Sequence, residues 1–181
     1  KYLISWGPTL LVNPIWDHRG TRLDLYHDAG LGFELVGQTM IEFFEAADRE
    51  LLRPQDFPAL AANRDYYHSR KGIFFTTSYV PEINLKGEFS RGTRINFAPP
   101  PGQAPELSNL TRANLLLTLR PRPFLRIDNT YLMERLTERA RGGSIFNNHI
   151  ARSKWNWQLN KETSLRVILQ YNTVLPNRQL T

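Results

Sequence analysis

The residues able to do chemistry in this chain are few and scattered. His18, His27, His68 and His149 lack the spacing of a metal site, and each reads as a polar wall or loop residue. Gly30-Leu31-Gly32 is half of a dinucleotide fingerprint. It lies inside a strand pattern, where glycine relieves crowding or marks a bend. No Gly-x-Ser-x-Gly elbow occurs. Asn147, Asn148, His149 and Ser153 invite comparison with the Ser-His-Asn sites of outer-membrane phospholipases. On a strand, however, His149 and Ser153 stand about 13 Å apart, too far for a nucleophile–base hydrogen bond. Glu42, Glu45 and Asp48 line one side of a helix but split between the faces of a strand, which weakens any glycosidase pair. No cysteine is present, so neither disulfide nor thiolate chemistry is available. The expectation is therefore a protein that is not an enzyme, with no catalytic residues, metal or cofactor.

The basic residues are the remaining signal. Lys and Arg number 23 against 17 Asp and Glu, and the sequence pI is about 9.8. Such a balance favours anionic partners: nucleic acid, lipid or lipopolysaccharide phosphates, or acidic solutes. Basic residues and aromatics fall on opposite strand faces, which excludes the interleaved arrangement of a single-strand nucleic-acid groove.

Alternation of period two positions these side chains. Leu165, Val167, Leu169 and Tyr171 alternate with Arg166, Ile168, Gln170 and Asn172. Ala151, Ser153, Trp155 and Trp157 alternate with Arg152, Lys154 and Asn156. Comparable patterns run through 125–134, 112–120 and 83–90. Nine strands are predicted, at about 3–13, 21–33, 38–46, 72–80, 82–92, 110–120, 123–136, 145–159 and 163–174. Residues 39–52 also fit a helix, with Met40, Phe43, Phe44, Ala47 and Leu51 on one face. Pro8 and Pro14 weaken the first strand.

The predicted strands reach the length a tilted membrane strand needs, about 9–11 residues. Short turns near Val36-Gly37, Val80-Pro81-Glu82, Arg120–Pro123 and Asn160–Glu162 alternate with longer polar stretches at 52–70, 91–109 and 137–144. Transmembrane barrels are built this way. No apolar run approaches the length of a membrane helix, so any crossing must be by a closed barrel. The expected fold is all-β, an antiparallel up-and-down meander of long hairpins forming part of a transmembrane β-barrel. Its lumen-facing polar residues would be Lys86, Glu88, Arg112, Arg126, Asp128, Glu134, Arg152, Lys154 and Arg166, with Arg120 beside them. Trp155, Trp157, Tyr131, Phe75 and Tyr79 would face lipid.

The stretch Ser164-Leu165-Arg166-Val167-Ile168-Leu169-Gln170-Tyr171-Asn172-Thr173 resembles a strand of a family of uncharacterised bacterial outer-membrane proteins. Ile145-Phe146-Asn147, Ala151-Arg152-Ser153-Lys154-Trp155-Asn156-Trp157 and Phe33-Glu34-Leu35-Val36-Gly37-Gln38-Thr39 resemble it as well. In that family a C-terminal barrel domain of unknown function usually follows an N-terminal module similar to carbohydrate-binding family nine. The resemblance implies a place in the bacterial outer membrane and transport or surface binding in a carbohydrate-related system. The implied partners are outer-membrane lipid, possibly carbohydrate, and the rest of the barrel or a partner chain that completes it. The odd strand count and the non-aromatic Thr181 predict that 1–181 is a single barrel segment truncated at one or both ends. The alternative is a soluble β-sandwich or clamshell ligand-binding module.

Two registers follow from matching faces. Centred on Pro81, they pair Tyr79 with Ile83, Thr77 with Leu85, Phe75 with Gly87 and Ile73 with Phe89. Centred on the 137–144 loop, they pair Asp128 with Lys154, Thr130 with Arg152, Glu134 with Asn148, Ile127 with Trp155 and Tyr131 with Ala151.

Overall fold

The computed structural model describes residues 2–176, and Thr181 lies outside them. Nine antiparallel strands form one sheet in sequence order: β1 (Leu3–Trp16), β2 (Arg22–Leu35), β3 (Thr39–Leu52), β4 (Arg64–Thr77), β5 (Ile83–Asn96), β6 (Glu106–Arg122), β7 (Leu125–Glu138), β8 (Ser144–Gln158) and β9 (Ser164–Pro176). No helix occurs among the described residues. The sheet is not closed, since β1 and β9 do not pair with each other. Residues 39–52 form a strand, and the helical alternative is excluded. Pairing with both neighbours decides this, because the ladders with β2 and β4 satisfy the backbone polar groups along the segment.

The strands have 13 to 17 residues each, and all but β7 and β8 are longer than the alternation suggests. The largest difference is β4, which begins at Arg64 rather than at residue 72. Arg64–Lys71 was expected to be loop. Its ladder with β3 runs from Leu52↔Arg64 to Glu45↔Lys71. Tyr79 was expected to pair with Ile83, but β4 ends at Thr77 and Tyr79 lies in the turn, where its ring covers Gly37.

The other expected pairs around Pro81 are present: Thr77↔Leu85, Phe75↔Gly87 and Ile73↔Phe89. The ring of Phe75 occupies the space a Cβ on Gly87 would fill. An aromatic thus covers a bare glycine backbone. Phe44 does the same over its partner Gly72 on the opposite face. The β2–β3 turn places both Gly37 and Gln38 at positive φ, 73° and 53°. Three residues, Val36, Gly37 and Gln38, separate the paired Leu35 and Thr39, and so tight a reversal uses left-handed backbone.

Burial is concentrated at the long-loop end. Leu52, Leu60, Tyr66 and Ile95 form a small core with Phe57, Ala104 and Leu107 packed on it. Phe57 stacks on Phe97, and the Tyr66 hydroxyl donates to the Pro105 carbonyl. The 53–63 and 97–105 loops are therefore pinned together. A second small cluster joins Leu110, Leu136 and Ile145.

Candidate functional site: a polar sheet face opposed by an exposed apolar one

Because the registers preserve faces from strand to strand, the side chains sort into two surfaces. All nine residues expected to line a lumen share one face. Lys86 pairs with Leu116, Leu116 with Thr130 and Thr130 with Arg152. Arg112 lies across from Glu134, and Glu134 from Asn148. Asp128 lies across from Lys154, and Asn156 joins Arg126 to Arg166. Every register expected around the 137–144 loop is present, Ile127↔Trp155 and Tyr131↔Ala151 included.

The geometry on this face is that of cross-strand ion pairs. Lys154 Nζ lies 3.2 Å from Asp128 Oδ2, an oxygen with no aligned hydrogen-bond donor. Asp128 Oδ1 accepts from Arg126 Nε and Thr118 Oγ1. Arg94 meets Glu134 at 2.6 Å, and Arg166 Nε donates to Asn156 Oδ1 at 2.9 Å. Arg70 meets Glu88 at 2.8 Å and stacks over the Phe44 ring, with Lys86 over Phe74.

The sequence reading missed an acidic counterpart on β2 and β3. Asp24, Asp28, Asp48 and Glu50 share this same face. His68 on β4 lies 3.7 Å from Asp48 and 3.8 Å from Glu50, so it bridges both when protonated. Assigning residues 64–71 to a loop hid His68 and Arg70. The alternation of Asp24, Tyr26 and Asp28 with Leu25 and His27 was the available signal. No group of three or more His, Cys, Asp or Glu with metal-binding geometry occurs among the described residues.

The opposite face has a boundary. One ladder row crosses six strands as Glu45, Lys71, Arg91, Thr111, Arg135 and Asn147, polar at every step. The next row toward the short turns reads Phe43, Ile73, Phe89, Ala113, Met133 and His149. Beyond it lie Phe75, Leu115, Tyr131, Trp155 and Trp157. Phe43, Phe89, Leu115, Tyr131, Trp155 and Trp157 are exposed, Phe43 by 53% and Trp157 by 44%, while Ile73, Phe75 and Met133 are half-buried. The apolar zone is oblique to the ladder. On β2 it holds Leu31, Phe33 and Leu35, whereas on β8 it starts at Ala151 and runs to Trp157, further toward the turns. Tilted strands crossing a slab of hydrocarbon produce such a drift.

Polar groups within that zone are paired with one another. Ser153 Oγ donates to Asn129 Oδ1 and accepts from Trp155 Nε1, and the Tyr131 hydroxyl lies 2.8 Å from His149 Nδ1. His149 and Ser153 thus bond to separate partners and form no nucleophile–base pair. Gly30 sits in β2 under the side chains of Glu42 and Thr9, so it relieves crowding as expected. Glu42 and Asp48 share the polar face and Glu45 lies on the other.

Comparison with protein-family models, curated proteins and solved structures returns no match. The outer-membrane family resemblance therefore rests on its own residues. What the fold defines is a class: an open, all-β antiparallel meander.

Proposed function

We propose that this chain is a section of an outer-membrane β-barrel whose apolar face meets lipid and whose polar face lines a lumen. The observation that carries the reading is the polar row from Glu45 to Asn147, directly bordering an uncovered apolar zone. In water, so large an exposed apolar surface is unfavourable and demands a covering layer. A soluble sandwich would supply a second sheet over it, and the described residues contain one sheet only. Lipid is the other available cover. It fits the oblique zone, the Trp155 and Trp157 rings near the short turns, and the satisfied polar groups inside the zone. The charges on the opposite face would then escape the roughly 2–4 kcal/mol cost of placing Arg or Lys against lipid at midplane.

Within that reading the role is transport or surface binding of a solute, in a carbohydrate-related system as the family resemblance implies. The long-loop end offers an open cavity of about 880 Å³, lined by residues that include Arg64, Tyr67, Gln103 and Glu106. Its mixture of aromatic and hydrogen-bonding groups suits a sugar-like ligand.

The test is folding in the presence and absence of an amphiphile. Circular dichroism should show a strand-rich fold in detergent micelles or lipid vesicles and aggregation without them. A monodisperse, strand-rich species in detergent-free buffer would contradict the proposal.

A further inference from the structure

Three hairpin turns converge at the short-turn end of the polar face. Between them lies an open pocket of about 530 Å³, lined by Gln38, Ser78, Pro81, Asn84, Thr118, Arg120 and Arg126. No carboxylate is among these residues.

Two features of the backbone build this place. The β6–β7 register slips by one residue between Leu119↔Ile127 and Arg122↔Leu125, an irregularity that contains Arg120. Such bulges re-aim side chains. The Arg120 backbone N–H then donates to the Glu82 carbonyl at 2.8 Å, which ties this bulge to the β4–β5 turn. From the other side, Gln38 sits at a φ of 53°, left-handed backbone that a non-glycine residue seldom adopts.

The donors outnumber the acceptors. Arg120 makes no ion pair or side-chain hydrogen bond among the described residues. Arg126 uses Nε on Asp128 and leaves both terminal nitrogens uncommitted. Asn84 Nδ2 donates to Ser78 Oγ at 2.6 Å, which frees the Ser78 hydroxyl proton for another acceptor. Asp128, the nearest acid, is already claimed by Arg126, Thr118 and Lys154.

We propose that this pocket is an oxyanion site for a phosphate or sulfate group, with Arg120 and Arg126 as its charged donors. Planar guanidinium forks match the paired oxygens of such groups. The inference uses only the turn geometry, so it stands whether or not the sheet crosses a membrane. The group could belong to a soluble sugar phosphate or to a phospholipid headgroup, which share this chemistry.

The experiment is titration of the full chain, folded in a neutral detergent, with inorganic phosphate at fixed ionic strength. Saturable binding is expected, with the Nε resonances of Arg120 and Arg126 shifting along the same isotherm. Arg120→Gln should weaken binding by about ten-fold or more, as loss of a charge-assisted pair implies. Arg91→Gln, the same charge change on the other face, should leave it within about two-fold. Arg120→Lys should fall between wild type and Arg120→Gln. Parallel titrations with glucose 6-phosphate and a short-chain phosphatidic acid identify the source by which binds more tightly than phosphate. Non-saturable shifts in the unmutated chain, unchanged binding in Arg120→Gln, or an equal loss in Arg91→Gln would each overturn the site. The Nε measurement needs no variant, so it decides the matter even if a substitution misfolds.

Discussion

Asp128 and Lys154 face each other across β7 and β8, with Lys154 Nζ 3.2 Å from Asp128 Oδ2, on the side of the sheet opposite Trp155 and Trp157. Both groups are part-buried, 18% and 33% exposed, so screening by solvent discounts the pair. The coupling expected of directly opposed charges is about 0.2–1 kcal/mol. Asp128→Lys and Lys154→Asp should each destabilise the fold, and the double swap should recover part of the loss. Denaturant unfolding in detergent measures it. If the two single effects simply add in the double variant, the pair contributes nothing. Arg126 also binds Asp128, which makes Asp128→Lys the costlier single change.

The glycines offer a sharper ranking. An added Cβ at Gly87 would meet the ring of Phe75, which can rotate aside. At Gly92 it would meet the Ser69 carbonyl and the Arg70 backbone, which cannot. Gly92 is also the last β5 residue in the ladder with β4, at Arg70↔Gly92. Gly92→Ala should therefore cost at least the roughly 1–3 kcal/mol typical of overpacking, and more than Gly87→Ala. Equal stability of the two variants would show that the backbone contact is not tight.

At the β1–β2 turn, Asp17 supplies a pH-dependent element. Its carboxylate accepts from the backbone N–H of Thr21 at 2.9 Å and of Arg19 at 2.8 Å. The Thr21 bond first, then the Arg19 bond, lower its pKa below the usual 3.8. A depressed folded-state pKa means the turn is supported above about pH 4 and loses that support as pH falls through the lowered value. The Asp17 carboxyl resonance should titrate below 3.8, and the Thr21 amide should lose protection over the same range. Titration at or above the ordinary value would remove the two bonds from the account.

Much of the register could be read from the sequence because parity leaves few choices. Once Phe75, Ile73 and Phe89 had to share a face, the turn centre at Pro81 fixed their partners. The same reasoning placed Asp128 opposite Lys154. Strand ends were harder. Residues 64–71 read Arg-Asp-Tyr-Tyr-His-Ser-Arg-Lys, with polar groups on both faces and no alternation to detect. Only the ladder to β3 makes them a strand. For the same reason the His68 bridge to Asp48 and Glu50 was invisible, as was the polar row through Lys71 and Arg91. That row depends on five registers at once. The Arg120 pocket depends on a one-residue slip that no periodicity encodes.

Spin-label accessibility along β7 tests the central claim, that one face meets lipid. The native chain has no cysteine, so single Cys variants can be labelled one at a time. In vesicles, positions 125 to 134 should alternate with period two. Odd positions, Leu125 to Met133, should be accessible to oxygen and shielded from a water-soluble nickel reagent. Even positions, Arg126 to Glu134, should show the reverse. The contrast should vanish at Arg135, which lies in the polar row, and at Thr137 beyond it. Equal access of the nickel reagent to both faces from 125 to 134 would contradict the account.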